Sequence, residues 1–421
     1  MRLRSRAEVN LVGTPFASAI VLLWVGMLSG CAPGAPSVST SRTPTLPPSP
    51  TATAAPPPHA LAWFQQDSAG VGQIWASVDD GPGHQVTHMT RPSGDCVRDQ
   101  HWSPPVFSPD LAHIVGGWGS GACGDGPEQG DLYVIDAATG AASLVPGPTS
   151  AANILLSVRQ AGWVNATTIW WIGGQTVYTY ALGAAQSTAL GAVGSGSGNS
   201  YTFAADAVLR GSTLFFTTVS GTAGVTSRTF ALKRFDMTSH ALLPGALNLG
   251  ADHICMCSPG DRTEPGFDVS ADGSHLVFQR VTPSASSDTG EGIAGSQFFY
   301  ANADGSSPSR IASIATSATF TRMQFSPDGR LVSLARAFPS PSVLTASVTS
   351  SGASGDPNLH VYQPDGSTFA VWDWRGTILW IGTTDVGGGA TAPNVERFTL
   401  GIATGSVSVT GGNNPWYTIG H

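Results

Sequence analysis

Within the stretch ADHICMCSPGDRTEPG, residues 251–266, one imidazole and two thiols fall inside five positions. Side chains alternate along an extended segment, so His253, Cys255 and Cys257 project to one side. That set suits zinc or copper(I), and Asp252 is available as a fourth ligand. A small-ring Cys255–Cys257 disulfide, or pairing with Cys96 and Cys123, competes for the thiols. In an exported chain the disulfides are favoured, and no cofactor is expected.

A second group of residues is suited to holding a ligand. The stretch SGDCVRDQHW carries Asp95, Arg98, Asp99 and His101, the stretch above adds Arg262 and Glu264, and Arg322 precedes Met323. If the fold gathers these segments, Arg98, Asp99, His101, Arg262, Glu264 and Arg322 form a polar mouth. Solvated loop charge is the plainer reading of the same residues. No catalytic residue is assigned, because the chain has no G-x-S-x-G, H-E-x-x-H or G-x-x-x-x-G-K-[ST] motif. Its Asp-Gly turns lack the acidic spacing of a calcium loop.

The segments that would carry this chemistry begin with an export signal. Arg2, Arg4 and Arg6 precede a mostly apolar run from Leu11 to Leu28, followed by LSGC ending at Cys31. A positive start, an apolar middle and small residues at the end make a secretory signal. LSGC resembles the bacterial lipoprotein lipobox, which implies cleavage after residue 30 and acylation of Cys31. An uncleaved transmembrane helix is the alternative, weakened by Pro15. Either way the arginines stay cytoplasmic and the remainder lies outside that membrane. In a cell with two membranes, that means the periplasm or the outer membrane. Residues 32–58 are dominated by Pro, Ser and Thr and cannot build a core; they read as an extended spacer. The organisation is therefore a signal over 1–30, a lipidated Cys and linker over 31–58, and a folded domain over 59–421.

Composition narrows the domain. The chain carries 52 Gly, only 11% charged residues and a net charge of -8, with Lys233 its one lysine. Such an acidic, lysine-poor chain is a poor nucleic-acid binder, and so many glycines with so few charges argue against a helical protein.

A repeat sets the fold. VFSPDLAHIVGGWG, FDVSADGSHLVFQR and MQFSPDGRLVSLAR begin at Val106, Phe267 and Met323. Each reads as an apolar strand, a tight Pro-Asp or Asp-Gly turn and a second strand. A third strand and another turn follow in DLYVIDAATG, QFFYANADGS and NLHVYQPDGS. Four strands per repeated unit predict an all-β β-propeller. Second strands are expected near Leu61, His113, Thr168, Thr213, His275, Leu331 and Thr377, which makes seven blades, with six or eight as alternatives. The first unit lacks an innermost strand, and residues 414–421 are expected to supply it and close the ring. FSPDG with DLYVIDAATG resembles the TolB-like propeller repeat. TolB-like proteins carry an α/β domain ahead of six blades, where this chain has a linker, so the resemblance covers the repeats alone.

In a propeller, the loops leading into first strands share one face with the loops between second and third strands. Cys96 and Cys123 fall in such loops of one blade, which makes a Cys96–Cys123 disulfide geometrically sensible. The tryptophan pairs Trp170, Trp171 and Trp372, Trp374 could be sugar platforms, but packing between blades is their favoured role. The sequence thus reads as a membrane-anchored envelope lipoprotein whose propeller binds, scaffolds or senses a protein or glycan. The alternative is a propeller lyase or hydrolase with its site at the channel mouth.

Overall fold

The structure is a computed structural model. It describes residues 60–67, 71–78, 84–90, 100–120, 129–147, 154–155, 159–197, 199–225, 227–253, 265–283, 293–314, 319–338, 342–351, 359–362, 368–375, 378–385, 395–401 and 406–409, some strand residues by backbone alone. The chain divides between Pro56 and Pro57 into two units, and every described residue belongs to the second. The signal, Cys31, the linker and the expected closing strand at 414–421 lie outside the described residues.

Among the described residues there are thirty-one strands and no helix. A first sheet holds β1 (Ala60–Gln66), β2 (Gly72–Val78) and β3 (His84–Gln85). The second holds β4 (Gln100–Trp102), β5 (Val106–Phe107), β6 (His113–Ser120), β7 (Gln129–Asp136), β8 (Ala142–Leu144) and β9 (Ile154–Leu155). The third is β10 (Ala161–Asn165), β11 (Thr168–Gly173), β12 (Thr176–Ala181) and β13 (Thr188–Ala192). A ten-stranded sheet follows. Its first part is β14 (Ser195–Ser197), β15 (Ser200–Arg210), β16 (Thr213–Thr222), β17 (Ser227–Asp236), β18 (Ala241–Leu242) and β19 (Leu247–His253). Its second part is β20 (Phe267–Val269), β21 (His275–Pro283), β22 (Ile293–Asn302) and β23 (Ser309–Ile314). One parallel bridge, Gly250 to Val281, joins the two parts. The last two sheets are β24 (Thr319–Phe325), β25 (Leu331–Phe338), β26 (Ser342–Ser347), β27 (Leu359–Tyr362) and then β28 (Thr368–Arg375), β29 (Ile378–Asp385), β30 (Val395–Gly401), β31 (Ser406–Val409).

Within these groups the pairing is antiparallel, and the second strands start within one residue of their expected positions. A backbone hydrogen bond repeats in five of the groups. Ala137 donates to Ala112, Leu182 to Thr167, Met237 to Ser212, Ala303 to Ser274 and Val348 to Arg330. Each ties the end of a third strand to the turn before the second, so these turns stand at equivalent places.

The core is divided among the seams between sheets. Along β11, Ile169 and Trp171 join a cluster with Val115, Leu132 and Ile154 of the second sheet. The alternate residues Trp170 and Ile172 join Phe216 and Phe235 of the next sheet. Strand alternation thus makes one apolar run serve two seams, which explains why TIWWIG is continuous. Both tryptophans are buried as packing residues.

The repeated turn has a defined chemistry. Ser108, Ser270 and Ser326 each donate from Oγ to the Asp two residues on, at 2.6, 2.5 and 2.7 Å. Each Oγ also accepts a backbone N–H five residues on, from His113, His275 and Leu331. Gly273 and Gly329 then take positive φ, but the first copy has Leu111 there at φ 60°. A side chain in that region costs about 1–2 kcal/mol. Leu111→Gly is accordingly expected to stabilise the fold by about 1 kcal/mol, after the extra freedom glycine gives the unfolded chain. Denaturant midpoints test this, and a lower midpoint would show that the leucine's packing outweighs its backbone strain.

Asp272 is held hardest: Ser270 Oγ and, at 3.0 Å, the Ser274 N–H donate to one oxygen, and Ser274 Oγ donates to the other at 2.6 Å. Those bonds, Ser270 first, keep its carboxyl well below the usual carboxylate range. A depressed folded value means the ionised group supports the fold above its unfolded value near pH 4. That support is lost as pH falls from there toward the folded value. Asp272→Asn should therefore flatten the fall in melting temperature between about pH 4 and 2. An unchanged slope in that window would remove the turn from the acid response.

Candidate functional site

The sequence-predicted site residues fall in three groups. Arg98, Asp99, Arg262, Glu264, Cys96, Cys123, Cys255 and Cys257 lie outside the described residues. His101, His253 and Arg322 are described through their backbone: His101 sits opposite Gly119, His253 opposite Ser227 and Arg322 opposite Ala335. Asp252 is the correction. It is fully buried and receives two hydrogen bonds from the Arg228 guanidinium, which stacks over Phe230. A carboxylate bound in that way is not available as a fourth metal ligand, because releasing it would strand a buried cation. Among the described residues no group of three metal-ligating side chains occurs.

The structure instead brings together four charged residues that the sequence reading passed over. First strands of successive sheets lie side by side: β5 beside β10, β10 beside β15, β15 beside β20, and β20 beside β24. They form an inner wall, and Arg159, Asp206, Arg210 and Asp268 stand along it. A bulge sets the geometry. The register of β15 shifts between Ala204 and Ala207, freeing backbone groups. Ala204 O accepts from Gln160 Nε2 at 2.8 Å, and Ala207 N donates to Arg159 O at 2.7 Å. The segment entering β10 is thereby docked on the bulge, and Arg159 faces Asp206.

Arg159 Nε and Nη2 donate to the two Asp206 oxygens at 2.9 and 2.5 Å, a bidentate pair. Nη2 also reaches the Phe267 carbonyl at 3.0 Å, and the guanidinium lies 5.7 Å from the Phe267 ring centre. Asp268 Oδ2 accepts the Phe325 N–H at 2.8 Å, tying β20 to β24. Arg210 donates to the Val269 and Leu209 carbonyls at 3.2 and 3.1 Å. Burial opposes the charge on Arg159 most, but the Asp206 carboxylate, its hydrogen bonds and Asp268 outweigh that and hold the guanidinium above its ordinary value. One connected set of charges thus spans three consecutive first-strand positions and reaches the backbone of a fourth at Phe325.

No protein-family model matches the sequence, and no curated protein sequence does. Solved structures do match. The periplasmic gluconolactonase PpgL of Pseudomonas aeruginosa superposes with a TM-score of 0.52 at 13% identity, over 86% of this chain and 98% of that one. A Bacteroides uniformis protein assigned as a 6-phosphogluconolactonase gives 0.50 at 13% identity, over 86% and 97%. The fold is a β-propeller. At such identity the likeness speaks for the fold alone. In propeller terms the sheets are blades, and the Arg159 set lies where first strands of neighbouring blades adjoin.

The signal for this set was present as charges inside apolar strands. Asp268 occupies the repeat position held by Val106 and Gln324 in the other two clear copies. Asp206 interrupts FAADAVL, and Arg159 precedes AGWV.

Proposed function

We propose that this chain is an envelope lipoprotein, acylated at Cys31, whose seven-bladed propeller of TolB-like repeats binds a protein or glycan outside the cytoplasmic membrane. The order of segments carries the reading: an acylable cysteine, a stretch at 32–58 that cannot build a core, then a propeller. Two acyl chains give stable attachment where one would not. A spacer of that composition is extended, which sets the domain off from the lipid surface. The binding face is the one bearing Arg98, Asp99, His101, Arg262, Glu264 and Arg322, and Cys96–Cys123 pins two of its loops.

The test is crosslinking in the cell, affinity purification and mass spectrometry, with Cys31→Ala as control. An envelope protein or glycan should be enriched and lost in the control, which should also fail to incorporate labelled palmitate. Palmitate incorporation that survives Cys31→Ala would end the lipoprotein reading. Turnover of a lactone or uronide by the purified chain would replace the binding role with a hydrolase or lyase.

A further inference from the structure

One charged atom on the inner wall is ion-paired but accepts no hydrogen bond from the protein. Asp268 Oδ2 takes the Phe325 N–H, but Oδ1 has only Arg159 Nη1 at 3.8 Å and Arg210 Nη2 at 3.9 Å. Both separations exceed hydrogen-bond reach. Every other contact of the two guanidiniums runs through different nitrogens: Arg159 uses Nε and Nη2, Arg210 uses Nε and Nη1. Three atoms from three successive blades therefore converge with one acceptor and two donors unused. The Asp268 side chain is 5% exposed, Arg159 16% and Arg210 33%, so the trio is held from behind and open on the Arg210 side.

An oxygen about 2.9 Å from Oδ1 and from each nitrogen would span these gaps at roughly a right angle. It would have to accept two N–H bonds and donate one proton to the carboxylate. A carboxylate or carbonyl oxygen has no proton to donate, and an ammonium has no lone pair to accept with. A hydroxyl does both. We infer that Asp268 Oδ1, Arg159 Nη1 and Arg210 Nη2 form a subsite for a hydroxyl oxygen of a neutral polyol or sugar. This rests on the propeller being a binding module and gives the glycan side of that reading a place on the inner wall. A water molecule presents the same chemistry, so the experiment separates the two. Both sides of the trio are fixed: Arg159 is locked by Asp206, and Arg210 is anchored on two carbonyls. The ligand oxygen thus meets donors that do not have to reorganise.

The test uses the full chain in a detergent without a sugar headgroup, with D-glucose and myo-inositol as probes and acetate as the anionic control. Saturation-transfer NMR should show both polyols bound, acetate failing to displace them. Arg210→Gln should weaken them about tenfold or more while the melting temperature stays within a few degrees. If that variant melts early, Arg210→Lys keeps the positive charge without the forked donors, and is expected to lose affinity likewise. Absence of polyol binding, with a crystal structure showing an ordered water at the trio, would overturn the inference. So would polyol binding that neither variant weakens. A crosslinked partner captured equally by Arg210→Gln, without polyol binding, sinks the subsite and leaves the binding module intact. Polyol binding without a captured partner supports the subsite and removes the partner.

Discussion

Gly250→Ala is expected to destabilise the fold by about 3 kcal/mol or more, combining backbone strain with overpacking. Gly250 has φ 101°, and a Cβ built there would lie 2.0 Å from the Val281 carbonyl oxygen. No rotamer relieves that contact, because both sides of it are backbone. The residue is also the bridge between the two parts of the ten-stranded sheet, pairing with Phe230 on one side and Val281 on the other. Its own N–H is held by Asn248 Oδ1 at 2.7 Å, so it cannot swing away without losing that bond too. Moving it back would separate β19 from β21 and open the seam that buries Phe230, Phe267 and Phe278. Gly183→Ala is the control. It has φ 82° but nothing within 4 Å of a new Cβ, so only strain of about 1–2 kcal/mol applies. Matching denaturant midpoints for the two variants would mean that the bridge contributes nothing.

How much of this was legible in the sequence depends on the scale of the signal. The propeller follows from repetition. A turn such as Ser-Pro-Asp-Gly has one local solution, and strand alternation in TIWWIG already assigns Trp170 and Trp171 to opposite seams. The merging of two blades through Gly250 was not readable, because a glycine in LNLGADH marks a bulge as well as a close approach. The pairing of Asp252 was not legible for a related reason. Its partner Arg228 lies on β17, twenty-four residues away, and proximity to two cysteines suggested coordination where pairing across the strands provides a cation. The inner-wall set needed the bulge at Ala204 and Ala207, since without it Asp206 would not face Arg159. Bulges leave almost no trace in composition. The readable sign was only a charge where the other repeat copies have an uncharged residue, as at Asp268.

Arg159→Met is expected to cost about 2–3 kcal/mol: breaking a fully buried pair costs more, but the Arg159 and Asp206 side chains keep 16% and 19% exposure. The methionine would fill much of the volume, so the loss is electrostatic and not a cavity. Asp206, 19% exposed, would lose both charge-assisted bonds, and Asp268, 5% exposed, would lose one of its two nearby cations. The Phe267 carbonyl would also lose its donor. Adding Asp206→Leu to Arg159→Met should restore at least half of the lost stability, because the orphaned carboxylate is then removed as well. That recovery is the decisive reading. A double variant no more stable than the single one would mean that Arg159 acts through packing on Phe267. Recovery shows that the charges are present as a matched set, which links three blades through side chains in addition to the backbone contacts Ala207–Arg159 and Gly250–Val281. To the extent that apolar residues recover the stability, the pair adds little net stability of its own. Beside it, Arg159 Nη1 and Asp268 Oδ1 stand too far apart to hydrogen-bond each other, which leaves both free for the proposed hydroxyl.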